Sequence, residues 1–139
     1  TNHLFFCILC HNVIGYSNAN ILKNKYIEQN GILVEIRLSD FLYEYGEARP
    51  EHSRYSALAT YCAKNEGKFW DYYNLAVSSI WNDYFKVSGK SAFSKLSGVG
   101  KEYWIDIGKQ VGLGEDFENC VKNEDTLDEI KTNAAKTSK

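Results

Sequence analysis

The chain contains no methionine, a single proline (Pro50) and no long apolar run. The missing run excludes a membrane-spanning helix, which needs about 18–20 consecutive apolar residues. No leader of the secretory type opens the sequence. Thr1-Asn2-His3, with no initiator methionine, reads as a cut inside a longer protein, so the missing leader does not fix a compartment. Like charges are not gathered into blocks: 16 basic and 18 acidic residues leave a net charge of −2. That balance argues against nucleic acid or an anionic membrane as a partner. There is no internal repeat and no low-complexity stretch.

What is present suits an ordinary globular chain. Its 139 residues fit one domain with a proper core, and 44% are apolar against 24% charged. Ten Tyr, seven Phe and three Trp supply large rings, most of which belong in the core. Four cysteines, Cys7, Cys10, Cys62 and Cys120, allow two disulfides in three connectivities.

The most informative motif is Cys7-Ile8-Leu9-Cys10, which follows the apolar run Leu4-Phe5-Phe6 and precedes a long helical pattern. Thiols at i and i+3 on the first turn of a helix lie on one side and can close a disulfide. The helix N-terminus favours a thiolate there. A thiolate beside a resolving thiol is the minimum needed for thiol–disulfide exchange. The competing readings are an inert disulfide or half of a zinc site. Closed zinc sites take four ligands, usually two such pairs or added histidines. Cys62 and Cys120 stand alone on apolar helical stripes, which weakens zinc.

The rest of the chain reads mostly as helix. The pattern predicts a helix from Cys7 to about Gln29, stopped by Asn30-Gly31. Residues 32–38 (ILVEIRL) alternate and are β-branched, the one clear strand. A loop follows to Glu51, with Ser53 as the cap of the next helix. Tyr55, Leu58, Ala59, Cys62 and Ala63 form its apolar stripe, and Gly67 ends it. A further helix over 68–85 aligns Phe69, Tyr73, Ala76, Val77, Ile80 and Tyr84. Residues 87–100 are rich in Ser and Gly and read as a mobile loop. Helices then align Trp104, Ile107, Gly108 and Val111; Phe117, Cys120 and Val121; and Leu127, Ile130 and Ala134, the last capped by Asp125 or Thr126. The polar tail from Lys136 frays. A lone strand cannot satisfy its own backbone. Its partner strands therefore lie elsewhere in a longer parent, or the strand pairs with another copy in a strand-exchanged homodimer.

Read in order, these pieces resemble the DsbA-like branch of the thioredoxin superfamily. Phe6-Cys7-Ile8-Leu9-Cys10 resembles that family's active-site CxxC at the start of its first helix. Residues 31–41 (GILVEIRLSDF) are similar to its central strand and the turn that leaves it. Residues 51–70 (EHSRYSALATYCAKNEGKFW) resemble the opening of the helical insertion, and 107–121 (IGKQVGLGEDFENCV) its later helices. The resemblance implies an α/β thioredoxin-like fold with a DsbA-type helical insertion. Residues 1–41 would hold part of the thioredoxin portion and 42–139 the insertion, so that this chain is itself mostly α. Two features depart from the family pattern. The Gly-x-x-Gly-Thr-Pro segment is absent and the strand before the CxxC is nearly so, which marks the chain as a fragment. Ile8-Leu9 also stands between the thiols, where proline is common at the first position.

The function implied is thiol–disulfide oxidoreductase, exchanging disulfides with cysteines of exported polypeptides and with a redox partner protein, outside the cytoplasm. Cys7 would attack and Cys10 resolve, with no organic cofactor and no metal. Ile8-Leu9 brings no cation between the thiols, so the Cys7 thiol is expected to be less acidic than in relatives with histidine there. His3 and His11 are candidate modulators of the thiolate, against plainer exposed or capping roles. Cys62 and Cys120 either pack as free thiols or join two helices by a disulfide. Trp70, Trp81 and Trp104 either line a peptide groove or, by default, fill the core. Glu35 and Asp40 are carboxylates near the site, either for proton transfer or solvated. The alternative function is a binding or structural module in which the CxxC is only a staple.

Overall fold

The computed structural model describes residues 2–6, 34–40, 43 and 51–137. The predicted helix over 7–29 and most of the loop over 39–51 lie outside these residues. The described chain is mostly helical, as the sequence pattern implies.

The predicted strand forms as β2, Val34–Leu38. It is not alone. Asn2–Phe6 forms β1 and pairs with it in parallel, from Asn2 opposite Val34 to Phe6 opposite Leu38. This corrects the expectation that a strand before the CxxC is nearly absent. The run Leu4-Phe5-Phe6 is short, and only the partner 32 positions away, seen in the register, makes it a strand. Parallel strands need a crossover of a dozen or more residues, and residues 7–33 make that connection.

The helices begin with α1, Glu51–Asn65. It starts before Ser53, which is therefore inside the helix rather than its cap; Glu51 supplies a favourable first-turn charge. Residues 56–63 of α1 are all buried, so it is the central rod. Small residues (Ser56, Ala57, Ala59, Thr60, Ala63) let neighbours approach on every side. Two of its buried hydroxyls are satisfied within the helix: Thr60 Oγ1 donates to the Ser56 carbonyl at 2.7 Å, and Ser56 Oγ to that of Ser53 at 3.1 Å.

Around α1 pack α2 (Phe69–Ile80), α5 (Lys101–Gln110), α6 (Glu115–Asn123) and α7 (Leu127–Thr137), the last also touching β2. Between α2 and α5 run a π-helical turn (Trp81–Phe85), α3 (Lys86–Ser88), a 3-10 turn (Gly89–Ser91) and α4 (Ala92–Leu96). The expected loop over 87–100 is thus partly helical. Ala92 and Leu96, at i and i+4, are both fully buried and pin it to the core. Lys136 and Thr137, expected in the tail, continue α7.

Helices α1 and α5 end as their glycines imply. Gly67 (φ 73°) and Gly112 (φ 83°) take the left-handed position, and the next residue's N–H returns to a carbonyl five residues back. Helix α6 ends the same way, with Glu124 (φ 55°) in that position. The core holds Leu58, Tyr72, Ile80, Trp104, Ile105, Ile107, Phe117 and Ile130. Tyr72 Oη donates to the Trp104 carbonyl at 2.8 Å, joining α2 to α5. Among the described residues no helix is long and apolar enough to cross a membrane.

Candidate functional site

Parallel sheets carry their ligands beyond the carboxyl ends of the strands. Here that edge is where Phe6 stands opposite Leu38. Cys7 follows Phe6 directly in sequence, and Ser39 and Asp40 follow Leu38. Cys7, Cys10 and His11 themselves lie outside the described residues.

The end of β2 is held by helix side chains. Leu38 N–H donates to Tyr61 Oη of α1 at 2.9 Å. Asn133 Nδ2 of α7 donates to the Leu38 carbonyl and to Tyr61 Oη, both at 2.8 Å. Both backbone groups of Leu38 are thereby satisfied by side chains of the helical block. Burial raises the Tyr61 phenol above its ordinary pKa, and hydrogen bonds to Leu38 and Asn133 pull the other way. Its neutral form is the one that this network uses.

Beyond Leu38, Asp40 meets the first turn of α1. Asp40 is fully buried, and its Oδ2 accepts from Arg54 Nε at 2.6 Å. The Arg54 guanidinium lies 3.8 Å from the centroid of the Tyr43 ring, and Tyr43 N–H donates to the Asp40 carbonyl at 2.8 Å. Three polar atoms in this corner are buried without a hydrogen-bond partner among the described residues: Asp40 Oδ1, His52 Nδ1 and Ser53 Oγ. Burial lowers the His52 pKa, with a smaller opposing effect from the Leu96 backbone. His52 is therefore a neutral imidazole at neutral pH. The Asp40–Arg54 pair sits in low dielectric, where removing one partner strands a charge.

The other candidate residues fall in different places. His3 and Glu35 stand opposite each other in the sheet register. Each is three residues before its strand's last residue, about 10 Å along the strand from the carboxyl edge. Of the two carboxylates, Asp40 is the one beyond that edge. Trp104 is wholly core, Trp81 is half-buried in the π-helical turn, and Trp70 is 51% exposed. The Trp70 ring meets Phe69 and Tyr73 edge-on, at 5.1 and 5.9 Å between centroids.

Cys62 and Cys120 form a disulfide that joins α1 to α6, with 5.9 Å between their Cα atoms. Cys62 is buried and Cys120 half-buried, and Cys62 Sγ touches Thr126 Oγ1 at 3.9 Å. Thr126, one of the two residues expected as caps, directly precedes α7 and donates its hydroxyl to the Leu58 carbonyl of α1 at 3.1 Å. Sulfurs joined in a disulfide are not thiolate ligands, so this pair does not complete a zinc set with Cys7 and Cys10. Among the described residues no three His, Cys, Asp or Glu side chains converge as metal ligands.

Sequence reasoning missed Tyr61, Asn133, Arg54 and His52. The usable signal is that Tyr61 and Asn133 each adjoin a stripe residue, Cys62 and Ala134. Neither protein-family models, curated proteins nor solved structures gave any match to this chain.

Proposed function

We propose that this chain carries the nucleophilic cysteine pair of a thiol–disulfide oxidoreductase of DsbA-like type. The observation that carries the reading is the parallel pairing of Asn2–Phe6 with Val34–Leu38. A CxxC that directly follows the first strand of such a pair emerges at the sheet's carboxyl edge, where substrates reach α/β proteins. The helical block that follows β2 agrees with the helical insertion of that family.

In the oxidising direction a substrate thiolate attacks Cys7 Sγ of a Cys7–Cys10 disulfide, and Cys10 leaves as a thiolate. A second substrate thiolate then attacks the substrate sulfur of the mixed disulfide and releases Cys7. Two electrons pass from the substrate dithiol to the cysteine pair. In the reducing direction Cys7 attacks and Cys10 closes. Cysteine-containing exported polypeptides and a redox partner protein are the reactants. The Cys62–Cys120 bond supports an extracytoplasmic, oxidising location.

The test is the reduction potential of Cys7–Cys10, read by mass-resolved alkylation in graded glutathione buffers, with Cys62 and Cys120 followed in the same samples. A value between about −270 and −120 mV is expected, the range of exchange catalysts. A value below about −300 mV marks a structural staple and overturns the enzyme reading in favour of a binding or structural module.

A further inference from the structure

The helical block grips the last residue of β2 from outside the sheet. Leu38 N–H donates to Tyr61 Oη at 2.9 Å, and the Leu38 carbonyl accepts from Asn133 Nδ2 at 2.8 Å. Asn133 Nδ2 also donates to Tyr61 Oη at 2.8 Å, so α1 and α7 are tied to each other where they meet the strand. Two residues on, Asp40 is held by Arg54 of α1 at 2.6 Å. Leu38, Ser39 and Asp40 are all buried.

This grip reaches the residue before Cys7 through the backbone. In an extended strand the N–H and carbonyl of one residue point to the same side, and those of its neighbours to the other. Both backbone groups of Leu38 point to the helices, so those of Arg37 and Ser39 point to β1. In a parallel ladder a residue bonds to the two neighbours of its register partner. Phe6 is the register partner of Leu38. That geometry assigns the Phe6 N–H to the Arg37 carbonyl and the Phe6 carbonyl to the Ser39 N–H. The Phe6 carbonyl belongs to the peptide bond that joins Phe6 to Cys7. Ser39 stands between Leu38 and Asp40, the two residues that the helices hold.

We propose that Tyr61 and Asn133 are positioning residues for the Cys7–Cys10 pair: by fixing Leu38 they set where the Phe6–Cys7 peptide leaves the sheet. This role rests on the exchange reaction proposed above. Neither side chain is a reactant. Their effect is geometric, because a disulfide closes without strain only within a narrow range of Cα and Cβ separations. A Cys7 backbone that shifts against Cys10 changes the balance between disulfide and dithiol. The helical block thereby tunes the potential of the pair.

The test is the reduction potential of Cys7–Cys10 in wild type, Y61F, N133A and Y72F, by mass-resolved alkylation in graded glutathione buffers. Destabilisation shared by the oxidised and reduced forms cancels in a potential, so a merely structural role leaves it unmoved. Tyr72 is also buried and donates to the Trp104 carbonyl, between α2 and α5, which makes Y72F the control. Y61F and N133A are each expected to change the exchange constant by about threefold or more, about 14 mV at roughly 30 mV per tenfold. Y72F is expected to keep the wild-type value. Circular dichroism verifies folding, and either Y61F or N133A alone reads the same grip. A wild-type potential in the exchange range with both variants unmoved overturns this role and leaves the exchange reading standing. An equal shift in all three variants overturns it too. A wild-type value below about −300 mV overturns the exchange reading and this role with it.

Discussion

Removing the Cys62–Cys120 bond by C62A/C120A is the sharpest perturbation of the helical block. The bond closes a loop of sequence separation 58. In the chain-entropy treatment, a loop of that size restricts the unfolded chain by on the order of 4 kcal/mol at 25 °C. Deleting the buried Cys62 sulfur adds a packing loss of about 1 kcal/mol. With a urea slope near 2 kcal/mol per M, a combined loss of about 5 kcal/mol should lower the midpoint by roughly 2.5 M. The slope itself should rise, because the unlinked denatured chain exposes more surface. Substitution is cleaner than a reductant, which would also open any Cys7–Cys10 bridge. The assay is urea unfolding followed by far-UV circular dichroism, with wild type and variant in parallel. A midpoint shift below about 0.5 M with an unchanged slope would refute the reasoning. So would alkylation of Cys62 and Cys120 in the native, unreduced protein.

Other expectations concern buried polar groups, packing and pH. Tyr61→Phe leaves the Leu38 N–H and one Asn133 donor bond unmade, costing about 1–3 kcal/mol in a denaturation series. Tyr72→Phe should cost less, about 1 kcal/mol, because the Trp104 carbonyl it frees lies within α5; the reverse order would contradict the network at Leu38. Gly108 faces the Phe117 ring so closely that an added Cβ would overlap it. Gly108→Ala should therefore destabilise by about 1–3 kcal/mol despite a gain of up to about 1 kcal/mol in helix propensity, and a higher melting temperature would be the opposing result.

Burial raises the pKa of Tyr72 and Tyr61 above the ordinary 10.0. Their folded state holds protons that the unfolded state loses, so stability is full below pH 10 and falls as pH rises beyond it. Tyr72→Phe should flatten that alkaline decline in pH-dependent unfolding. His52 runs the other way. Burial lowers it below 6.5, so its stabilising effect is full above that pH and is lost as pH falls. His52→Gln should flatten the acid arm below about pH 6.5, and an unchanged arm would exclude His52 as its source.

Much of the helical architecture was legible because helices are local. The stripes through Leu58, Ala59, Cys62 and Ala63, through Tyr73, Ala76, Val77 and Ile80, and through Trp104, Ile107 and Gly108 need only 3.6-residue periodicity. Gly67 and Gly112 marked helix ends for an equally local reason, their left-handed backbone. The strand at Val34–Leu38 declared itself by alternation. The stretch 87–100 misled, since its Ser and Gly suggested a loop while two residues, Ala92 and Leu96, sufficed to anchor short helices.

Tertiary structure decided what depends on residues far apart in sequence. Strand β1 exists because β2 accepts it; five residues alone carry too little pattern to declare a strand. Which cysteines pair was open among three connectivities, and the packing of α1 on α6 selected Cys62 with Cys120. Tyr61 and Asn133 meet at Leu38 across separations of 23 and 95 residues, and Asp40 meets Arg54 of α1. The sequence by itself set the helices, the strand and the CxxC. Buried polar satisfaction and the disulfide partner arise from contacts that no local window contains.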